Sequence, residues 1–565
     1  MALFRKTLLF LAGAVAAAPV AAQIAPPAPV EQTSLARDAF ATGVLARAEG
    51  ALDSGLWKGA QPATLSRLLD AAPARPAGPS LGEAMRRILL SPGDAPDGAG
   101  PDLGGRKLLA LARAGFVDEA RTIASISSAP RGDPHVGEAL ATADLYSGDV
   151  QAACRRNAGL SSGRDETFWV KLRVICYAAA GERDAADLTY GLLRDRGLLD
   201  EADEILLNAL VAGAAPKTPV APENALHLAA VRALQLPLAP GLLEKADGGT
   251  LKAVARDETL EPATRIAAAT RAAAMGAMSA GDLAALYGAV PADVADVAQA
   301  GARIATHPDD PMTDVLLYKS IAGMTAPEFM RDKAARIADA LSIADSFPRA
   351  YAAALLYQND LKALEGALVA PGEAMRFAEA RMAVGDGDGA ARWLGAAFGA
   401  DGLSSLGEDQ KMAFIGLADL LAALDPVAAK LLAERAGVAL GASAPAGAVH
   451  ARGGEADAQL FAAVVDAAFD AALRDIPGQA GLAALAASSA APEGDPVGDV
   501  VIGQSLRAAG LSDLRRRMQF EAAWKARFSE TPPASAGPGE AAAAGAGASS
   551  GDGGLLPRLK PRSRP

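Results

Sequence analysis

Two Gly-x-Ser-x-Gly segments are the nearest approach in this chain to a hydrolytic nucleophile: Gly78-Pro79-Ser80-Leu81-Gly82 and Gly159-Leu160-Ser161-Ser162-Gly163. A nucleophile elbow holds its serine on a sharp turn between a strand and a helix. The first segment sits in Pro-rich sequence and the second between helices, so both read as loop composition. Gly385-Asp386-Gly387-Asp388-Gly389 resembles the opening of a calcium loop, but Ala390, Ala391 and Trp393 follow where further oxygen ligands and a distal glutamate are needed. It reads as an interhelical turn. His135, His227, His307 and His450 are scattered singly, without His-x-x-x-His or His-Glu-x-x-His spacing. His307-Pro308-Asp309-Asp310 reads as the turn that starts a helix. Neither a phosphate-binding loop nor a dinucleotide fingerprint occurs. These residues point to no catalytic constellation, no metal site and no cofactor, and the chain is expected not to be an enzyme.

Two features keep chemical interest. Cys154 and Cys176 are the only cysteines. Without Cys-x-x-Cys spacing or a companion histidine they make a poor metal or redox pair, leaving a structural disulfide or two free buried thiols. Thr167-Phe168-Trp169-Val170-Lys171-Leu172-Arg173 holds the densest aromatic pair of an aromatic-poor chain. Core packing is its plainer reading. The alternative is a contact patch, since Trp and Arg are enriched at interface hot spots, and Trp169, Lys171 and Arg173 are its candidate partner-binding residues.

The elements that position these residues are helices. Hydrophobic residues make up 51% of the 565 but aromatics only 4%, and alanine supplies most of the difference. Alanine is the best helix former, and its small side chain lets helices approach closely. Alternating Val, Ile and Thr runs, the mark of strands, are nearly absent. The fold class is therefore all-α. The formal charge of −12 argues against a general nucleic-acid binder, which needs a basic stripe.

Arg5 and Lys6 precede an apolar run from Thr7 to Val15 and small residues ending Val20-Ala21-Ala22, the pattern of a Sec-type signal peptide cleaved after Ala22. Loss of Arg5 and Lys6 takes the formal charge from −12 to −14. No later segment reaches the roughly 18 apolar residues of a membrane span. Pro- and Gly-rich breaks at Ser91–Gly105, Val211–Pro222 and Leu440–Gly454 divide the rest of the chain. The expected layout is a signal peptide (1–22), a Pro-rich leader (23–32) and N-terminal helices (33–91). Helical repeats (104–212), a hairpin array (222–438), C-terminal helices (455–529) and a Pro/Ala/Gly tail (530–565) complete it. The tail lacks the apolar surface to offset its ordering entropy and is expected to be disordered. Its end, with Arg558, Lys560, Arg562 and Arg564, suits weak contact with anionic envelope surfaces.

A repeat lies inside this layout. Arg113-Ala114-Gly115-Phe116-Val117-Asp118-Glu119-Ala120, Tyr146-Ser147-Gly148-Asp149-Val150-Gln151-Ala152-Ala153 and Ala179-Ala180-Gly181-Glu182-Arg183-Asp184-Ala185-Ala186 align without gaps, at a period of 33 residues. Glycine frees the backbone to end one helix, and the acidic residues suit the start of the next. Gly385 to Ala390 repeats the pattern, and Tyr357-Gln358-Asn359-Asp360 repeats it with Asn359 as the expected left-handed cap. These spacings resemble the tetratricopeptide (TPR) repeat, most clearly between Lys107 and Arg196, where Tyr177 and Tyr190 flank Ala186 at fitting offsets. The usual Trp and Leu-Gly pair of the first helix and the closing Pro are not in register. The resemblance implies stacked antiparallel helical hairpins, an α-solenoid, whose first helices line a groove. In this frame Cys154 lies early in one helix and Cys176 late in the next, each about 8 Å from the same end of the layer. A disulfide is therefore expected.

Helical-hairpin arrays present surfaces to other proteins. The expectation is a periplasmic scaffold or adaptor that binds a protein partner of the cell envelope. An accessory to, or non-standard member of, the peptidoglycan-acting enzymes is the alternative, and a secreted structural or surface protein the second.

Overall fold

A computed structural model describes residues 38–128, 132–398, 402–441, 458–492 and 495–529. The expected signal peptide, leader and tail, and His450, lie outside these residues. Segment 38–60 leads into α1 (Pro62–Asp70), α2 (Pro79–Leu90) and α3 (Pro101–Arg113). There follow α4 (Val117–Ile126), α5 (Pro134–Tyr146), α6 (Val150–Ala158), α7 (Thr167–Ala180), α8 (Arg183–Asp195) and α9 (Glu201–Ala212). Next come α10 (Ala225–Ala233), α11 (Gly248–Arg256), α12 (Pro262–Ala274), α13 (Ala280–Ala289), α14 (Val294–Ala298) and α15 (Ala300–Thr306). Then α16 (Pro311–Ala322), α17 (Met330–Ser342), α18 (Phe347–Ala363), α19 (Pro371–Ala383) and α20 (Gly387–Phe398). The series ends with α21 (Glu408–Leu424), α22 (Pro426–Ala436), α23 (Ala458–Arg474), α24 (Pro477–Ala490), α25 (Pro496–Ala508) and α26 (Ser512–Ser529). No strand occurs among the described residues, and no described helix is long and apolar enough to cross a membrane.

Prolines that interrupt the sequence pattern start helices rather than replace them. Ten of the described α-helices, α3 and α5 among them, begin on proline, whose missing N–H falls where a helix has no use for it. The Ser91–Gly105 break accordingly ends at Pro101, and Gly104 and Gly105 lie inside α3. Their lack of a side chain is a packing device. A Cβ on Gly105 would stand 2.5 Å from His135 Cβ, and one on Gly104 2.9 Å from Ala39 Cβ. Aspartates cap starts with and without proline: Asp133, Asp149, Asp200 and Asp247 each accept a backbone N–H of their own helix.

The 33-residue glycines do what their spacing asks. Gly115, Gly148 and Gly181 follow α3, α5 and α7 in the left-handed region, with φ of 98°, 81° and 79°. Ala120, Ala153 and Ala186 are buried in the helices that come next. Asn359 departs from expectation. It lies within α18, where buried Tyr357 and Leu361 carry the helix onward, and the left-handed turn falls at Gly366. Apolar periodicity across the Asn outweighs its preference for a cap.

Three hydrophobic cores result among the described residues. One is drawn mainly from 117–290 with Val315 and Ala352, and another mainly from Leu316 to Leu432 with Ala274, Ala300 and, from α26, Phe520, Ala523 and Trp524. The remaining core joins the two ends of the described chain: Leu65, Ile88 and Leu103 share it with Leu482, Leu485, Ile502 and Leu514. At its centre α24 is buried almost throughout and packs on α1, α2, α23 and α25. Small residues permit this, since a Cβ on Gly478 would lie 2.4 Å from the Trp57 ring and one on Gly481 2.6 Å from Ile88.

Candidate functional site

The stretch richest in candidates by sequence is α5–α10. Cys154 on α6 and Cys176 on α7 stand at disulfide-bonding distance, with Cα atoms 5.6 Å apart, and both are half-buried. The pair therefore joins α6 to α7.

The α7 aromatics divide. Trp169 is wholly buried, and its core reading holds; Phe168 meets it edge-on with ring centroids 5.0 Å apart. Core packing withdraws the indole from any surface, so Trp169 does not fit the contact-patch reading. Lys171 is also committed, its ammonium bonded to the Asp203 carboxylate. Arg173 stays partly exposed and donates to the Arg164 carbonyl oxygen at 2.6 Å. Arg156 is paired with Asp144 at 2.7 Å.

Lys171 belongs to a cluster that sequence reasoning missed. Asp203 of α9 receives Lys171 on Oδ2 and the His227 ring of α10 on Oδ1, the latter at 3.2 Å. The Glu223 backbone N–H donates to His227 Nδ1 at 3.3 Å, so Nε2 carries the proton given to Asp203. Burial alone would raise the Asp203 carboxyl, but hydrogen bonds from His227 and Lys171, with the charge of Lys171, outweigh it and hold the group well below the usual carboxylate range. Both ring nitrogens and both carboxylate oxygens are used, and Asp203 and His227 are each 2% exposed. The arrangement clips three helices together and offers no open atom to a substrate. Its partners lie 24 and 32 residues apart, too far for any local motif to announce them.

The other candidates resolve into structure. Ser80 is fully buried near the start of α2, where its N–H and hydroxyl both donate to Glu521, and neither a strand nor a histidine accompanies it. Ser161 is exposed in the loop before α7. Asp386 accepts the Gly389 N–H at 2.9 Å and pairs with Arg381, so the aspartate-glycine run is a capped turn. Asp310 opens α16 by accepting the Met312 N–H at 2.9 Å, beside an exposed His307. A hollow between α1 and α23, lined by Thr64, Leu68, Val464 and Ala467, encloses about 10 Å3, room for one water at most.

Apolar side chains do reach solvent. Leu188 and Leu192 of α8 are 78% and 43% exposed, one turn apart on one face. Val427 and Leu431 of α22, and Phe469 and Leu473 of α23, repeat that spacing and exposure.

The class these observations define is an all-α protein of packed helices. Compared with known proteins, the chain matches no family model, no curated protein and no solved structure.

Proposed function

We propose that the chain is a non-enzymatic scaffold or adaptor of the periplasm, an array of stacked TPR-like hairpins that binds a protein partner of the cell envelope. The observation that carries this reading is the paired exposure of apolar side chains on outer helices, Leu188 with Leu192 above all. Large apolar groups repeated on one exposed helix face mark sites of protein contact, whereas singly scattered ones carry no such meaning. Leu188 and Leu192 lie on α8, beside the helix that bears Arg173. The contact surface is therefore assigned to the outer face of this hairpin, with Arg173 at its edge. The cysteine pair at bonding distance supports an oxidising compartment, where such bridges persist.

The test is affinity capture from envelope extracts, with the purified chain and its Leu188→Asp/Leu192→Asp double variant side by side. One stoichiometric partner, retained by the first and lost by the second, is the expected result. Equal retention by both would remove α8 from the contact, and release of muropeptides by the purified protein would replace the scaffold reading with the enzymatic one.

A further inference from the structure

His135 and Glu138 stand three residues apart in the first turns of α5, and spacing of this kind puts both on one helix face. Glu166, the residue that precedes α7, completes a triad, and one ligating atom from each of the three lies within 4.8 Å of the others. Around a tetrahedral ion with bonds near 2.0–2.1 Å, ligand atoms sit about 3.3 Å apart, so the triad needs to contract by about 1.5 Å. Rotation of two glutamate side chains supplies a movement of that size.

The state of each ligand favours an ion. Glu138 is only 8% exposed, and Arg113 bonds one of its oxygens, Oε1, at 2.9 Å. A carboxylate held this way by a second group is the usual support of a metal ligand, because the bond fixes its orientation and leaves the other oxygen to the ion. Glu166 does not cap the helix it precedes. It stands instead with Glu138, the two carboxylates placing like charges within 4.8 Å of each other. A cation between the two relieves that repulsion. Arg106 reaches the His135 ring, with Nη2 3.3 Å from Nε2. A guanidinium only donates, so this contact draws on the imidazole lone pair that a metal needs. Arg106 also pairs with Asp70 and lies 3.7 Å from Asp102, so it stays paired if the ring turns to an ion.

The comparable group of Asp200, Asp203 and His227 is more fully occupied by its neighbours. There the Lys171 ammonium already occupies Asp203, and both ring nitrogens are taken.

We propose that His135, Glu138 and Glu166 form a binding site for a divalent transition-metal ion. One imidazole with two carboxylates is a borderline donor set that suits zinc, and three protein ligands leave a coordination position to water. Zn2+ is therefore the probe.

The full chain, stripped with chelator and dialysed, is titrated with zinc chloride at neutral pH by calorimetry. One saturable site of micromolar or tighter affinity is expected. His135→Ala and Glu166→Gln each weaken it about tenfold or more, with circular dichroism and melting temperature unchanged. Arg106→Gln strengthens it by removing the competitor for the imidazole lone pair. Should His135→Ala fail to fold, Glu166→Gln decides alone, since that side chain is only half-buried and packs in no core. Absence of saturable binding, or equal binding by the parent chain and Glu166→Gln, overturns the proposal and assigns any bound zinc to other carboxylates.

Discussion

Asp247 is buried to 3% exposure at the start of α11, where it serves as cap and as cross-link at once. Its Oδ1 accepts the Thr250 N–H at 2.7 Å, and its Oδ2 accepts the Tyr146 hydroxyl from the end of α5 at 2.6 Å. Burial pushes the carboxyl up to about 6, although both hydrogen bonds pull the other way. The unfolded chain releases the same proton near the ordinary aspartate value of roughly 3.9. The folded state therefore holds the proton more tightly. Its stabilising contribution is full below about pH 4 and is lost as pH rises through 6, a swing on the order of 3 kcal/mol. Asparagine caps a helix as well as aspartate and carries no charge. Denaturant unfolding at pH 4 and pH 7.5 is expected to show the parent chain losing stability against Asp247→Asn across that interval. A constant gap between the two proteins at both pH values would contradict the assignment.

At the scale of elements, what was legible in the sequence was what repeats locally. The period that placed Gly115, Gly148 and Gly181 also set Cys154 and Cys176 at one height, because glycine termini and alanine contacts recur wherever a hairpin turns. Residues read one at a time were less legible. Lys171 and Arg173 look alike on the surface of a helix until α9 presents Asp203 to the first of them. Asn359 carries a cap's chemistry but sits in a longer apolar period, and the period wins. The α6–α7 pairing can be tested directly. Alkylation of the denatured chain without reductant is expected to leave its mass unchanged, and with reductant to add two groups. Reduction should also lower stability by roughly 3 kcal/mol, the chain-entropy value for a loop of this length. Two alkyl groups added without reductant would show free thiols.

The joining of the first and last described helices belongs to the whole molecule, and no local pattern encodes it. Ser80 and Glu521 are 441 residues apart, and neither sits in a motif that names the other. Gly78-Pro79-Ser80 reads as loop, yet the Glu521 carboxylate accepts the Ser80 N–H at 3.0 Å and so caps α2 from α26. Glu521 is fully buried by its surroundings, which raises its carboxyl above the ordinary value even with Arg517 and Lys525 near it. The same helix reaches the other way. Trp524 donates to Glu379 of α19 at 2.8 Å, whereas Asp513 returns to α2, meeting Arg87 at 3.1 Å. Helix α26 thus stands between the core that joins the two ends of the described chain and the core around α19–α22. If this contact couples the ends, Glu521→Ala and Ser80→Ala must fail to add. A double-mutant cycle is expected to return about 0.5–3 kcal/mol of interaction, the range for partners in one hydrogen-bond network. Hydrogen exchange of the Glu521→Ala chain should lose protection in α2, α24 and α26 together, while α7 to α9, in a different core, keep theirs. Additive mutations, or exchange confined to α26, would mean that the ends touch without stabilising each other.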